Sequence, residues 1–185
     1  MASVALKIVI ATDAWKPQIN GVVTTLSHVE GYLRAQGCEV RVIHPGDFHT
    51  FALPNYKEIC VAWNVWKFAE IFESFKPDCV HIATEGPIGL AARRYLTKRG
   101  LPFTTSLHTK FPEYVNQRIG MPVSWGYAFL RWFHEPSKAT LVTTESMRDE
   151  LTARGLKDLV VWTRGVDTQL FCPERGDKSR EGSSQ

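Results

Sequence analysis

The sequence predicts an α/β domain built on a doubly wound parallel sheet, and three observations carry that reading. Short apolar runs rich in β-branched residues alternate with amphipathic stretches from residues 5–10 to residues 159–162. Strands separated in this way by helices imply right-handed crossovers and parallel pairing. The stretch 11–26, A-T-D-A-W-K-P-Q-I-N-G-V-V-T-T-L, then places a Pro- and Gly-bearing loop between the first strand and the first helix. That is the layout of a nucleotide-binding α/β domain. Finally, 185 residues suffice for one domain with a substantial core.

In chain order, residues 5–10 suit a buried strand, and Val22, Val23, Leu26, Val29 and Leu33 recur at helical spacing. Residues 39–43 form a second strand ended by His44, Pro45 and Gly46, and a polar loop follows to Tyr56. Residues 59–62 read as a short third strand. Residues 65–75 read as a helix with Phe68, Ile71, Phe72 and Phe75 on one face. After the break at 76–78, residues 79–83 are a strand, and Thr84-Glu85-Gly86-Pro87 opens a helix that Gly100 stops. Residues 103–108 are a strand ending on His108. The helix at 123–134 carries Trp125, Phe129, Trp132 and Phe133, and reads as core or interface. A strand at 140–144, a helix at 145–154 closed by Gly155, and a strand at 159–162 complete a sheet of six or seven strands. From Pro173 the chain turns polar and Gly/Ser-rich, so the domain is expected over 1–172, with 173–185 a tail or interdomain linker.

A formal net charge of +3 is compatible with an acidic ligand or an anionic membrane surface and demands neither. Cys38, Cys60, Cys79 and Cys172 form no C-x-x-C pair and read as buried free thiols of a reducing compartment. No run reaches the roughly 18 apolar residues of a membrane span, and Lys7 interrupts the only N-terminal apolar run. A cytoplasmic protein is expected. Arg93, Arg94, Lys98 and Arg99 read as a solvated helix face, with anionic lipid headgroups as the alternative.

In doubly wound sheets ligands bind beyond the carboxyl ends of the strands, which points to the loops at 12–21, 84–87, 108–113 and 163–167. The first loop lacks G-x-G-x-x-G, no acidic residue closes the second strand, and there is no P-loop, which disfavours a dinucleotide oxidoreductase. Gly21 sits where backbone amides and a helix dipole can meet a phosphate, or where a glycine merely relieves a turn. His108 can donate to a sugar hydroxyl or phosphate, with Lys110 neutralising charge. Glu85 suits a capping role, with contact to an acceptor hydroxyl as the other reading. His28, His44, His49, His81 and His134 read as structural, and no cluster has metal-ligand spacing.

Four segments in order, D-A-W-K-P-Q-I-N-G-V-V (13–23), H-I-A-T-E-G-P-I-G (81–89), S-L-H-T-K-F-P-E-Y (106–114) and R-G-V-D-T-Q-L-F-C-P (164–173), resemble the N-terminal domain of the family-4 retaining glycosyltransferases. These have the GT-B fold of two facing Rossmann-like domains. The pattern is most similar to GDP-mannose-dependent α-mannosyltransferases and sulfolipid synthases. The resemblance implies that Asn20, Gly21 and Val22 match the glycine loop facing the donor diphosphate and the acceptor, where many relatives have Gly-Gly. It implies that His108 lies near the donor sugar and the reacting centre. Arg164 stands where the family's N-G-V-D segment has asparagine, and Asp13, Glu85 and Lys110 are further candidate substrate contacts. In the family the diphosphate-binding Arg and Lys and the E-x7-E carboxylates belong to a second domain, which this chain is expected to stop before.

The expected function is therefore the acceptor-side half of a retaining glycosyltransferase, moving a hexose, mannose foremost, to a lipid or sugar acceptor, and inactive without the second domain. GDP-mannose or a UDP-hexose would be a substrate. No cofactor, metal or nucleic acid is expected, and peripheral contact with the inner face of a membrane is. The competing reading is a non-catalytic binding module or partner-dependent half.

Overall fold

The apolar runs pair as the alternation demands. The structure, a computed structural model, describes residues 5–53, 56–108 and 122–163. Along the chain these form β1 (Lys7–Ala11), α1 (Gly21–Ala35), β2 (Glu39–Ile43), β3 (Thr50–Leu53), β4 (Tyr56–Ala62), α2 (Phe68–Phe75), β5 (Cys79–Ile82), α3 (Pro87–Arg99), β6 (Thr104–Leu107), α4 (Val123–His134), β7 (Thr140–Val142), α5 (Glu145–Ala153) and β8 (Leu159–Val161). Six strands make one sheet in the order β2-β1-β5-β6-β7-β8. All its pairs are parallel. The chain leaves β1 for β2 on one side and returns to β5 on the other. The β1/β5 boundary is thus the topological switch point, the place where such sheets bind ligands.

Strand alternation sends successive residues to opposite faces. On one face Val9, Ala11, Val80 and Ile82 are buried with Phe68, Phe72, Ile88 and Leu96 from α2 and α3. Further along the sheet, Leu107 and Val142 pack with Tyr127, Leu130, Met147 and Leu151 from α4 and α5. On the opposite face Ile10, Val40 and Val42 pack with Leu26 of α1 and with Trp15. Each buried Val, Leu, Ile, Phe or Met side chain among them contributes about 1.5–3 kcal/mol of transfer free energy.

Several expectations are corrected. Residues 50–53 are a strand rather than loop, and β3 and β4 form an antiparallel hairpin outside the main sheet. The helix expected at 65–75 begins as a 3-10 turn, Val65–Lys67, before α2. Of the aromatic residues on α4, Phe133 is buried, whereas Trp125 and Trp132 are 68% and 52% exposed. The basic cluster on α3 is divided. Arg93 donates to the Phe133 carbonyl at 2.9 Å and lies 3.9 Å from the centre of the Trp132 ring, so it docks α3 onto α4. Arg99 bonds Glu73, while Arg94 and Lys98 are exposed. Among the described residues, Cys38, Cys60 and Cys79 are free thiols, but Cys38 and Cys60 are only half-buried and Cys79 is exposed. Among the described residues, no helix is long and apolar enough to cross a membrane.

Candidate functional site

Parallel pairing brings the ends of β1, β5 and β6 to one edge, so Asp13, Gly21, Glu85 and His108 all lie at that edge. Lys110, Arg164 and the segment 164–173 lie outside the described residues.

Asp13 follows β1 directly and reaches across the switch point. Its carboxylate accepts from Ile88 N at 2.8 Å, Gly89 N at 3.2 Å and the Thr84 hydroxyl at 2.8 Å. Its own amide donates to Thr84 Oγ1 at 2.7 Å. Asp13 therefore caps α3, with Gly86 at the cap position and Pro87 in the first turn. A Cβ at Gly86 would collide with this carboxylate, and one at Gly89 with the Thr84 carbonyl, so both positions require glycine by close approach. Burial raises the Asp13 pKa, opposed by the three hydrogen bonds and reinforced by the nearby charge of Glu85. The capping role expected of Glu85 thus belongs to Asp13, a residue far away in sequence.

Asn20 caps α1. Its Oδ1 accepts from Val22 N and Val23 N, both at 3.0 Å, and its Nδ2 donates to Gln18 Oε1 at 3.1 Å. The Gly21 loop thus opens on the expected edge, with the amides of Val22 and Val23 engaged by a neutral side-chain oxygen.

At the end of β6 the polar groups run in a line. His81 Nδ1 lies 2.9 Å from Thr104 Oγ1, His81 Nε2 lies 3.1 Å from Ser106 Oγ, and Ser106 Oγ lies 3.0 Å from His108 Nε2. Burial, with His108 nearby, lowers the His81 pKa to about 4, so this imidazole is neutral at physiological pH. On the opposite face of β6, buried His134 places Nδ1 2.9 Å from Thr105 Oγ1, which lies 2.9 Å from Thr140 Oγ1. His134 Nε2 is buried without a hydrogen-bond partner and stands 3.4 Å from Glu85 Oε1. His81 and His134 each bond interior hydroxyls, His81 on the line that includes Ser106 and His108, and His134 with Thr105, Thr140 and Ser137 in the buried interior. The available signal was the run of polar residues Thr104, Thr105 and Ser106 in an interior strand, where apolar residues are the rule.

The edge thus combines a glycine-opened helix N-terminus, a carboxylate and a histidine, a set suited to holding a polar anionic ligand by hydrogen bonds. Among the described residues no cluster of His, Cys, Asp and Glu is suited to hold a metal ion.

A GDP-mannose-dependent alpha-mannosyltransferase of Mycobacterium tuberculosis is 25% identical over 187 residues, covering 91% of this chain and 50% of that protein. The protein of the same name from Corynebacterium glutamicum is 23% identical, covering 91% and 45%. An alpha-monoglucosyldiacylglycerol synthase of Acholeplasma laidlawii is 30% identical over 129 residues, covering 60% and 32%. The chain spans about half the length of the mannosyltransferases it matches. The model of Glycosyltransferase Family 4 matches residues 19–170, most of the chain including the Gly21 loop and His108, and the chain belongs to that family.

Proposed function

We propose that the chain is the acceptor-side half of a retaining glycosyltransferase that moves a hexose, mannose foremost, from a nucleotide-sugar donor to a lipid or sugar acceptor. The observation that carries this reading is the convergence, in a family-4 chain, of the α1 N-terminus, Glu85 and His108 on one sheet edge at the switch point. The names of the mycobacterial and corynebacterial relatives support GDP-mannose as donor, and that of the Acholeplasma relative supports a lipid acceptor. Residues 1–172 form the domain in this reading, with 173–185 a polar tail or interdomain linker.

His108 donates a hydrogen bond to the donor sugar or its phosphate. The α1 N-terminus receives the diphosphate, which competes with Asn20 Oδ1 for the Val22 and Val23 amides. Fixed donors at a developing negative charge lower the barrier without reorganising. Glu85 faces the acceptor hydroxyl, with Lys110 and Arg164 as additional charge partners. Asp13, its carboxylate taken by protein donors, fixes the loop geometry instead. Attack from the face the leaving group departs requires no carboxylate nucleophile. Cationic side chains of a second Rossmann-like domain neutralise the diphosphate in place of a metal. The assembly works in the cytoplasm, in peripheral contact with the membrane.

The test is transfer by the purified chain with GDP-mannose and UDP-hexoses, alone and with a family-4 second domain added. Turnover only in the mixture is the expected result. Robust turnover by the chain alone overturns the half-enzyme reading. Donor binding and turnover absent under every condition would favour a non-catalytic module.

A further inference from the structure

The transfer chemistry leaves His134 without a role, yet its surroundings are specific. His134 is the last residue of α4, its side chain is only 3% exposed, and its Nε2 is buried with no hydrogen-bond partner. A desolvated ring nitrogen left unpaired costs free energy, so an imidazole held this way needs an account. The other nitrogen has one. Nδ1 lies 2.9 Å from Thr105 Oγ1, and Thr105, Thr140 and Ser137 close a cluster of hydroxyls 2.9, 3.2 and 3.3 Å apart. The Phe133 ring packs edge-on against the imidazole, with 5.1 Å between centroids. The ring is thereby held, and Nε2 stands 3.4 Å from Glu85 Oε1.

The order hydroxyl, imidazole, carboxylate is that of a nucleophilic triad, but burial excludes that use. Thr105 and Thr140 are 0% exposed, so no substrate meets either hydroxyl. Glu85 is the member with an open end, its side chain 22% exposed on the loop between β5 and α3. The cluster can therefore act on a ligand only through that carboxylate. Chemistry rather than distance decides where the imidazole proton sits. Thr105 can give a proton to Nδ1 or take one, so that side leaves the tautomer open. An ionised carboxylate can only accept, and a bare Nε2 would set its lone pair against Oε1 in a desolvated space. Whether neutral with its proton on Nε2 or cationic with protons on both nitrogens, the ring presents an N–H to Glu85.

We propose that His134 is the positioning residue for Glu85, its Nε2–H directed at Oε1 and fixing the orientation of the carboxylate at the sheet edge. At 3.4 Å the contact is longer than a settled charge-assisted bond, as contacts in an open active site often are. The inference rests on the transferase reading only for its consequence. Glu85 then meets the acceptor hydroxyl in a set orientation, and loss of the imidazole N–H lowers kcat with KM unchanged.

Long-range 1H–15N imidazole spectra of the 15N-labelled chain, recorded near neutral pH without donor or acceptor, read the pair directly. His134 is expected to carry a proton on Nε2 in the wild type. In Glu85→Ala the acceptor is gone, and a population with bare Nε2 and a proton on Nδ1 is expected to emerge. A wild-type His134 with bare Nε2 overturns the proposal, as does a Glu85→Ala spectrum with the His134 protonation unchanged. If Glu85→Ala does not fold, the wild-type spectrum decides. Because no transfer is read, failure of the transferase reading leaves this result standing. In a reconstituted two-domain enzyme, His134→Gln keeps an N–H donor for Glu85 and His134→Met does not. The expected kcat is about tenfold lower in the second than in the first, with KM unchanged in both. Equal losses in the two variants would make His134 a packing residue and overturn the proposal. Unaltered kcat in both, with the spectra as expected, would overturn the role of Glu85 in transfer rather than its positioning by His134.

Discussion

Two strand ends on the same sheet edge use polar residues in opposite ways. At the end of β1, Asp13 and Asn20 spend their oxygens on backbone amides at the N-termini of α3 and α1, so the polar groups close on one another and stiffen the loops. At the end of β6, Thr104, His81 and Ser106 make a line of hydrogen bonds that includes half-buried His108 at the edge. The first arrangement makes a frame. The second aims a group. Desolvated polar groups are tolerable in both because nearly all are paired, but only the second carries its line through the sheet interior to a histidine at the edge.

The largest effect expected is on the β6 side and concerns pH. His81 titrates near 4 in the folded chain against an ordinary value of 6.5. Below 6.5 the unfolded chain takes up the proton first, so stability present at neutral pH is lost as pH falls towards 4. At about 1.4 kcal/mol per pKa unit, the loss is on the order of 3 kcal/mol. Denaturant titrations across that range should show this slope in the wild type and its absence in His81→Gln. Identical slopes would dissolve the contrast, since His81 would then not be held neutral by its surroundings.

Next in size, His108→Ala in a two-domain enzyme should lower turnover about 10²-fold, the typical loss for one preorganised donor. Stability should fall by less than about 1 kcal/mol, because Ser106 can turn to the Ala83 carbonyl. Comparable losses in both measurements would make the β6 end another frame.

The backbone of this fold is legible in the sequence because its signals are local: β-branched runs, Gly and Pro breaks, and a strand that ends on His108. The ligand edge follows from the parallel order. What the sequence conceals is pairing across distance. The cap of α3 comes from Asp13 at a separation of 75 residues from Ile88, so Glu85, which lies beside the helix, is the residue local reasoning selects. His81 and Ser106 meet only through the β5–β6 register, and Thr105 meets His134 only once α4 is packed. The strand at 50–53 is missed because it is short and finds its partner in a hairpin outside the main sheet.

On the β1 side, Asp13→Asn should cost about 1–2 kcal/mol. An amide offers one acceptor oxygen where Asp13 now receives three donors, and an amide NH2 turned towards those donors leaves them unpaired. The pH dependence runs opposite to that of His81. Burial raises the Asp13 pKa above its ordinary 3.8, so the folded chain binds the proton more tightly. This contribution is present below 3.8 and lost as pH rises through the folded value, and the wild-type advantage over Asp13→Asn should narrow over that interval. An advantage that widens instead would mean that the hydrogen bonds outweigh burial.

The smallest effect on stability, and the sharpest probe of the β1 frame, is expected from Asn20→Gly. Glycine at a cap position costs only a few tenths of a kcal/mol relative to asparagine, because water can reach the freed amides at this exposed site. The same change removes the oxygen that now holds the Val22 and Val23 amides. If a donor diphosphate seats at the α1 N-terminus, it must displace that oxygen in the wild type and need not in the variant. A competing hydrogen bond of about 0.5–1.5 kcal/mol corresponds to a gain of roughly two- to tenfold in affinity. Calorimetric titration of both chains with GDP measures it. Equal affinities would place the diphosphate away from α1, leaving the loop a frame and nothing more. Weaker binding by the glycine variant would make Asn20 itself a contact to the nucleotide, and the β1 end would then join the β6 end in aiming a side chain at the ligand.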